Sequence, residues 1–130
     1  MSKFNGSNLP ARVRVLLVDN HAVFRHVIRT LLTQYADIEV VGEAANGLQA
    51  VERADTLQPD VILMDVNMPK MNGIEATRFI TVRYPKVAVI GLSSNAIDHG
   101  AAIMEAGALT VLMKENVVDE LYPVIQDLAA

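Results

Sequence analysis

Residues 59–73, PDVILMDVNMPKMNG, decide the fold. Val61, Ile62, Leu63 and Met64 form a continuous apolar run, closed by Asp65 and then by the turn-forming Asn67, Pro69, Asn72 and Gly73. Such a run between turn residues predicts a strand buried on both faces, as at the centre of a parallel sheet. Asp65 then stands at the carboxyl end of the strand, where open α/β sheets gather their ligand-binding groups. The alternative for this residue is a loop aspartate that caps the following turn.

Working outward, the same grammar repeats. Arg12 to Val18 predicts a first strand that ends at Asp19, Asn20 and His21. Ala22 to Tyr35 places Val23, Phe24, Val27, Ile28, Leu31 and Leu32 on one helical face. Ile38 to Ala44 predicts a second strand, and Asn46 with Gln49 resembles a capping box that opens a helix from Gly47 to about Leu57, closed by Pro59. Beyond Asp65, Asn72 and Glu75 repeat the cap for a third helix, which runs to about Tyr84 and stops at Pro85. Val87 to Leu92 predicts strand four, with Ser93, Ser94 and Asn95 at its end; a helix follows from about Ile97 to Ala106, with Gly107 as its terminator. Leu109 to Met113 predicts strand five, followed by Lys114, and a last helix covers about Val118 to Leu128, with Pro123 expected to kink or shorten it. Five strands alternating with five helices predict an α/β fold, a doubly wound five-stranded parallel sheet with helices on both faces. Residues 1–11 are polar and aperiodic and are expected to form a flexible tail, leaving 12–130 as one domain.

Composition narrows the function. The 130 residues contain no cysteine, which excludes disulfides and thiolate metal sites. The net charge of −4 and pI near 5.2 argue against direct nucleic-acid contact. No apolar run approaches the roughly 18 residues of a membrane span, so a cytoplasmic location is expected.

In a doubly wound order, Asp19 and Asn20 from strand one, Asp65 from strand three, Ser93 from strand four and Lys114 from strand five converge on one crevice. Two neighbouring carboxylates call for a cation, and an oxygen donor set without cysteine or paired histidine suits Mg²⁺ better than Zn²⁺. Asp65 can then act as a nucleophile toward phosphorus, with Lys114 neutralising the incoming group and Ser93 donating to one of its oxygens. His21, His26 and His99 are read as surface or packing residues.

The segments VLLVDNH, LMDVNMPKMNG, VIGLSS and VLMK, in that order, resemble the acidic pocket, acceptor loop, hydroxyl switch and lysine of response-regulator receiver domains. DNH and VVGEAANGLQAV resemble the NarL/LuxR-like branch. The resemblance implies the flavodoxin-like strand order 2-1-3-4-5 and phosphorylation of Asp65 by a histidine kinase or phosphotransfer protein. It further implies Mg²⁺ held by Asp19, Asn20, Asp65 and the Asn67 backbone carbonyl, with Lys114 paired to the phosphoryl group and Ser93 as the switch, Ser94 being its rival. A signalling role follows rather than a turnover enzyme, with the helix 4/strand 5/helix 5 face as output. A helix-turn-helix output domain or a hybrid kinase is implied in the full-length protein, and a homodimer is compatible. Two features depart from the family pattern. Asn20 stands where a second acid is usual, so weaker metal binding is expected, and Val111 stands where a Tyr or Phe commonly swings. The competing readings are a phosphorylation-independent interaction module and, disfavoured by Asn67 in place of a second Asp, an aspartate-based phosphohydrolase.

Overall fold

The computed structural model describes residues 12–94 and 100–129; the expected tail over 1–11, the start of helix four at Ile97, Asn95 and His99 lie outside the described residues. Strands β1 (Val13–Val18), β2 (Ile38–Ala44), β3 (Val61–Asp65), β4 (Ala88–Ser93) and β5 (Thr110–Met113) make one sheet in the order β2-β1-β3-β4-β5. Every pairing is parallel. The intervening helices are α1 (Ala22–Leu32), α2 (Gly47–Leu57), α3 (Gly73–Arg83), α4 (Gly100–Glu105) and α5 (Val117–Ala129). The chain winds one way from β1 to β2 and the other way from β3 onward. The reversal opens a crevice beyond the carboxyl ends of β1 and β3.

Side chains alternate across the sheet and build a core on each face. Val15, Leu17, Leu63 and Ile90 pack with Ile28 of α1 and Leu121 and Ile125 of α5. On the other face Leu16, Val18, Ile62 and Met64 pack with Ala50 and Ala54 of α2, Ile80 of α3 and Ile103 of α4. All five residues of β3 are buried, which explains why this strand reads as an unbroken apolar run.

The bounds of β2, α2 and β3 coincide with the sequence reading; most other ends shift by about one residue, and the larger differences have local reasons. Helix α1 stops at Leu32, because Gln34 and Tyr35 donate to the carbonyls of Leu31 and Leu32 in tight turns rather than extending the helix. Tyr35 instead stacks on Tyr122 of α5, with ring centroids 3.6 Å apart. Ser93 belongs to β4, paired in register with Met113. A short 3₁₀ turn, Lys114–Asn116, leads into α5, which starts at Val117 and runs through Pro123 to Ala129, so the proline does not shorten it.

The caps refine the reading. Asn72 and Glu75 form the reciprocal capping box at α3, whereas at α2 Asn46 accepts from the Gln49 amide but Gln49 Oε1 accepts from the Ala45 amide, one residue beyond the cap.

Candidate functional site

Asp19 follows the last residue of β1, Asp65 is the last residue of β3, and Lys114 follows the last residue of β5. Asp19 is 1% and Asp65 3% exposed. Both aspartates divide their oxygens in the same way. Oδ1 of Asp19 accepts from the amide of His21 at 2.7 Å, and Oδ1 of Asp65 from the amide of Asn67 at 3.2 Å, each closing a local turn two residues on. Oδ2 of each faces inward, where Lys114 Nζ stands 2.6 Å from Asp19 and 3.4 Å from Asp65. The lysine meets these buried oxygens as an ion-pair partner, and neither has an aligned hydrogen bond. The two readings of Asp65 therefore combine: one oxygen caps the loop and the other is held for the crevice.

Loop and helix ends hold this arrangement. The amide of Val66 donates to the Leu92 carbonyl and that of Gly73 to the Val66 carbonyl, folding the acceptor loop back on β3. Gly73 lies so close to the Asp65 carbonyl that a Cβ would collide with it. On the other side, Arg25 Nη1 donates to the Asp19 carbonyl at 2.6 Å while its Nε pairs with Glu43 Oε1 at 2.8 Å. Glu43 also pairs with Arg29; burial pushes its carboxyl up, but the Arg29 and Arg25 guanidiniums outweigh this and hold it below the usual range. The Phe24 ring lies under Lys114, with Nζ 4.8 Å from its centroid, and walls the ammonium on that side.

Burial and the neighbouring Asp19 charge push the Asp65 carboxyl up to about 6, against the opposing pull of Lys114 and the Asn67 amide. At neutral pH it is still mostly ionised, a buried anion beside the Lys114 ammonium. Ser93 is buried at the end of β4, one residue beyond Leu92, the register partner of Asp65, whereas Ser94 is exposed. Asn20 and Asn67 are exposed in the turns flanking the two aspartates.

The structure adds a residue set aside on sequence. His21 Nδ1 lies 3.0 Å from Asp19 Oδ1, and one ligand atom from each of Asp19, His21 and Asp65 falls within 4.8 Å of the others. The Asp-x-His spacing was the available signal, since an aspartate turn folds the second residue back toward the carboxylate. No comparable signal marks Glu43 as the partner of Arg25, because the β1–β2 register shifts between Val15 and Leu16. The donor set fits a divalent ion: two buried carboxylates, whose Oδ2 atoms have no aligned hydrogen bond, bring a ligand atom each to within 4.8 Å of one another and of His21. A separate cavity of about 430 Å³, lined by Ala54, Pro59, Tyr84 and Val87, opens at the amino ends of β3 and β4, away from these groups.

A parallel 2-1-3-4-5 sheet that brings two buried aspartates and a lysine to its switch point defines the receiver class of α/β domain. Residues 15–126 match the family model of the response regulator receiver domain, and the chain belongs to that family. It is 37% identical over 119 residues to the transcriptional regulatory protein DegU of Brevibacillus brevis, an alignment covering 91% of this chain and 50% of that protein. The chain thus spans about half the length of this relative. Among solved structures it superposes on the response regulator domain of Thermotoga maritima CheB with a TM-score of 0.84 at 35% identity, covering 91% of this chain and 96% of that one. It also superposes on the receiver domain of the putative response regulator NarL from Mycobacterium tuberculosis with a TM-score of 0.86 at 29% identity, covering 92% and 98%. The similarity to NarL supports a receiver domain of the NarL/LuxR branch. Among the described residues no helix is long and apolar enough to cross a membrane.

Proposed function

We propose that this receiver domain is a phosphorylation-dependent switch of a two-component system, in which Asp65 accepts a phosphoryl group from a histidine kinase or a phosphotransfer protein. The observation that carries the reading is the division of labour on Asp65: Oδ1 is tied to the Asn67 amide, while Oδ2 is buried, without an aligned hydrogen bond, and 3.4 Å from Lys114 Nζ. Oδ2 attacks phosphorus, forming an O–P bond as the N–P bond of the donor phosphohistidine breaks and its electron pair returns to the imidazole nitrogen. Lys114 then pairs with the transferred group, and the Ser93 hydroxyl donates to one of its oxygens. Mg²⁺, held by Asp19, Asp65, the Asn67 carbonyl and the amide oxygen of Asn20, supplies neutralisation of the phosphoryl oxygens.

The added charge of about −1.5 to −2 draws Ser93 toward the crevice, altering the α4–β5–α5 face. Val111 carries no ring; it packs half-buried against the core formed with Ile103, and the readout is a backbone shift of α4. The unit is residues 12–130, cytoplasmic, joined in the full-length protein to a helix-turn-helix output domain or a hybrid kinase, with homodimerisation through the same face. Incubation with acetyl phosphate and Mg²⁺ followed by intact mass measurement tests the reading. A gain of one phosphoryl group that disappears in Asp65→Asn supports it. Absence of any gain favours a phosphorylation-independent interaction module, and rapid multiple turnover a phosphohydrolase.

A further inference from the structure

We infer that His21 supplies a nitrogen ligand to the divalent ion of the crevice, and that this chain therefore prefers a first-row transition ion to Mg²⁺. The inference rests on the divalent-ion part of the function proposed above and concerns which ion is taken. Its basis is the spacing of three donors. Metal–oxygen and metal–nitrogen bonds of about 2.1 Å put adjacent ligand atoms about 3.0 Å apart and opposite ones about 4.2 Å apart. Asp19 Oδ1 and His21 Nδ1 are 3.0 Å apart, and the Asp19, His21 and Asp65 donor atoms all lie within 4.8 Å of one another.

The histidine is placed to serve. Its side chain is 66% exposed at the mouth of the crevice, whereas that of Asp19 beside it is 2% exposed, so the imidazole can turn onto an ion without disturbing the core. The amide of His21 is already bound to Asp19 Oδ1 at 2.7 Å, which fixes the backbone from which the ring projects. Asn20, the residue between them, is neutral and exposed, so the turn contributes no second carboxylate. Two carboxylates and an imidazole suit divalent transition ions, for which nitrogen donors add affinity, while Mg²⁺ gains little from nitrogen.

Mn²⁺ is the probe, because its electron spin reports bound nitrogen. Pulsed electron paramagnetic resonance of the Mn²⁺-loaded protein should show ¹⁴N coupling that is lost in His21→Leu, with Mn²⁺ affinity falling by at least about tenfold and Mg²⁺ affinity changing by less than about twofold. Asp65→Asn should weaken Mn²⁺ binding while the bound fraction keeps its nitrogen signal, locating the ion in the crevice rather than at another histidine. Mn²⁺ bound without ¹⁴N coupling, or coupling that survives His21→Leu, overturns the assignment of His21 and leaves the divalent-ion site standing. Failure of both Mn²⁺ and Mg²⁺ to bind overturns the two readings together.

Discussion

At the scale of single residues, Asp65 is the group that burial acts on most visibly. Its carboxyl sits near 6 rather than 3.8, raised by burial and by Asp19, so the folded state holds its proton more tightly than the unfolded chain does. The resulting contribution to stability is fully present below about pH 4 and is lost as pH rises through about 6. Asp65→Asn, which cannot ionise, should therefore match the wild type near pH 4 and exceed it by about 1–3 kcal/mol at pH 7.5, as read from urea unfolding at the two pH values. An advantage that does not change with pH would refute the assigned cause. Thr77 offers a second residue-scale test: its Oγ1 is fully buried in α3 without a hydrogen-bond partner, so Thr77→Val should raise stability by about 1 kcal/mol in the same assay. The positions of Asp65 and Lys114 were open to sequence reading because strand ends fix where such residues go. The contacts of His21, Arg25 and Phe24 were not, since they depend on how a turn and the first turns of α1 are rotated about the sheet edge.

Between residue and fold lies the β3–α3 connection, where local chemistry sets the geometry of the site. Asn72 caps α3 while Gly73 presses its Cα against the Asp65 carbonyl, and Gly47 at the start of α2 approaches the Met71 carbonyl just as closely, donating to it at 2.8 Å. These contacts need glycine for space, because a Cβ would meet backbone, which cannot rotate away. Gly73→Ala should cost about 2–4 kcal/mol, and it should also lower the yield of phosphorylated protein at temperatures where the variant remains folded. Circular dichroism unfolding paired with intact mass measurement checks both. A variant of wild-type stability would show that the loop has room to shift. Elements of this kind were legible where a cap and an apolar run agreed, as at β2, α2 and β3. The end of α1 was misjudged at Thr33, where the chain changes path without a strong stop residue, and the 3₁₀ turn at Lys114 that precedes α5 was not foreseen.

On the scale of the whole molecule, the crevice joins strands that are distant in sequence: Lys114 after β5 reaches over β3 to contact Asp19 after β1. The order β2-β1-β3-β4-β5 makes this possible; the alternation of strands and helices predicted a doubly wound parallel sheet and the family resemblance implied the order, while the depth at which the charges lie came only from the packed structure. The side chain of Lys114 is 16% exposed and those of the aspartates 2% and 4%, so the ammonium is the main compensation for two buried negative charges. Removing it leaves those charges opposed in a poorly solvated space, a larger penalty than the net worth of the ion pair itself. Lys114→Met should therefore lower stability by about 2–4 kcal/mol at pH 7.5, with most of the loss recovered when Asp65→Asn is added, because only one buried carboxylate then remains. A divalent ion offers the same compensation from outside the chain. Millimolar Mg²⁺ or Mn²⁺ should raise the unfolding midpoint of Lys114→Met more than that of the wild type, following the logarithmic dependence on free ion expected for a ligand that binds only the folded state. Urea titrations of the two single variants and the double variant, each with and without ion, measure the coupling directly. Additive losses with no differential ion effect would show that the lysine and the aspartates act independently, and that the crevice is not the electrostatic junction of the three strands.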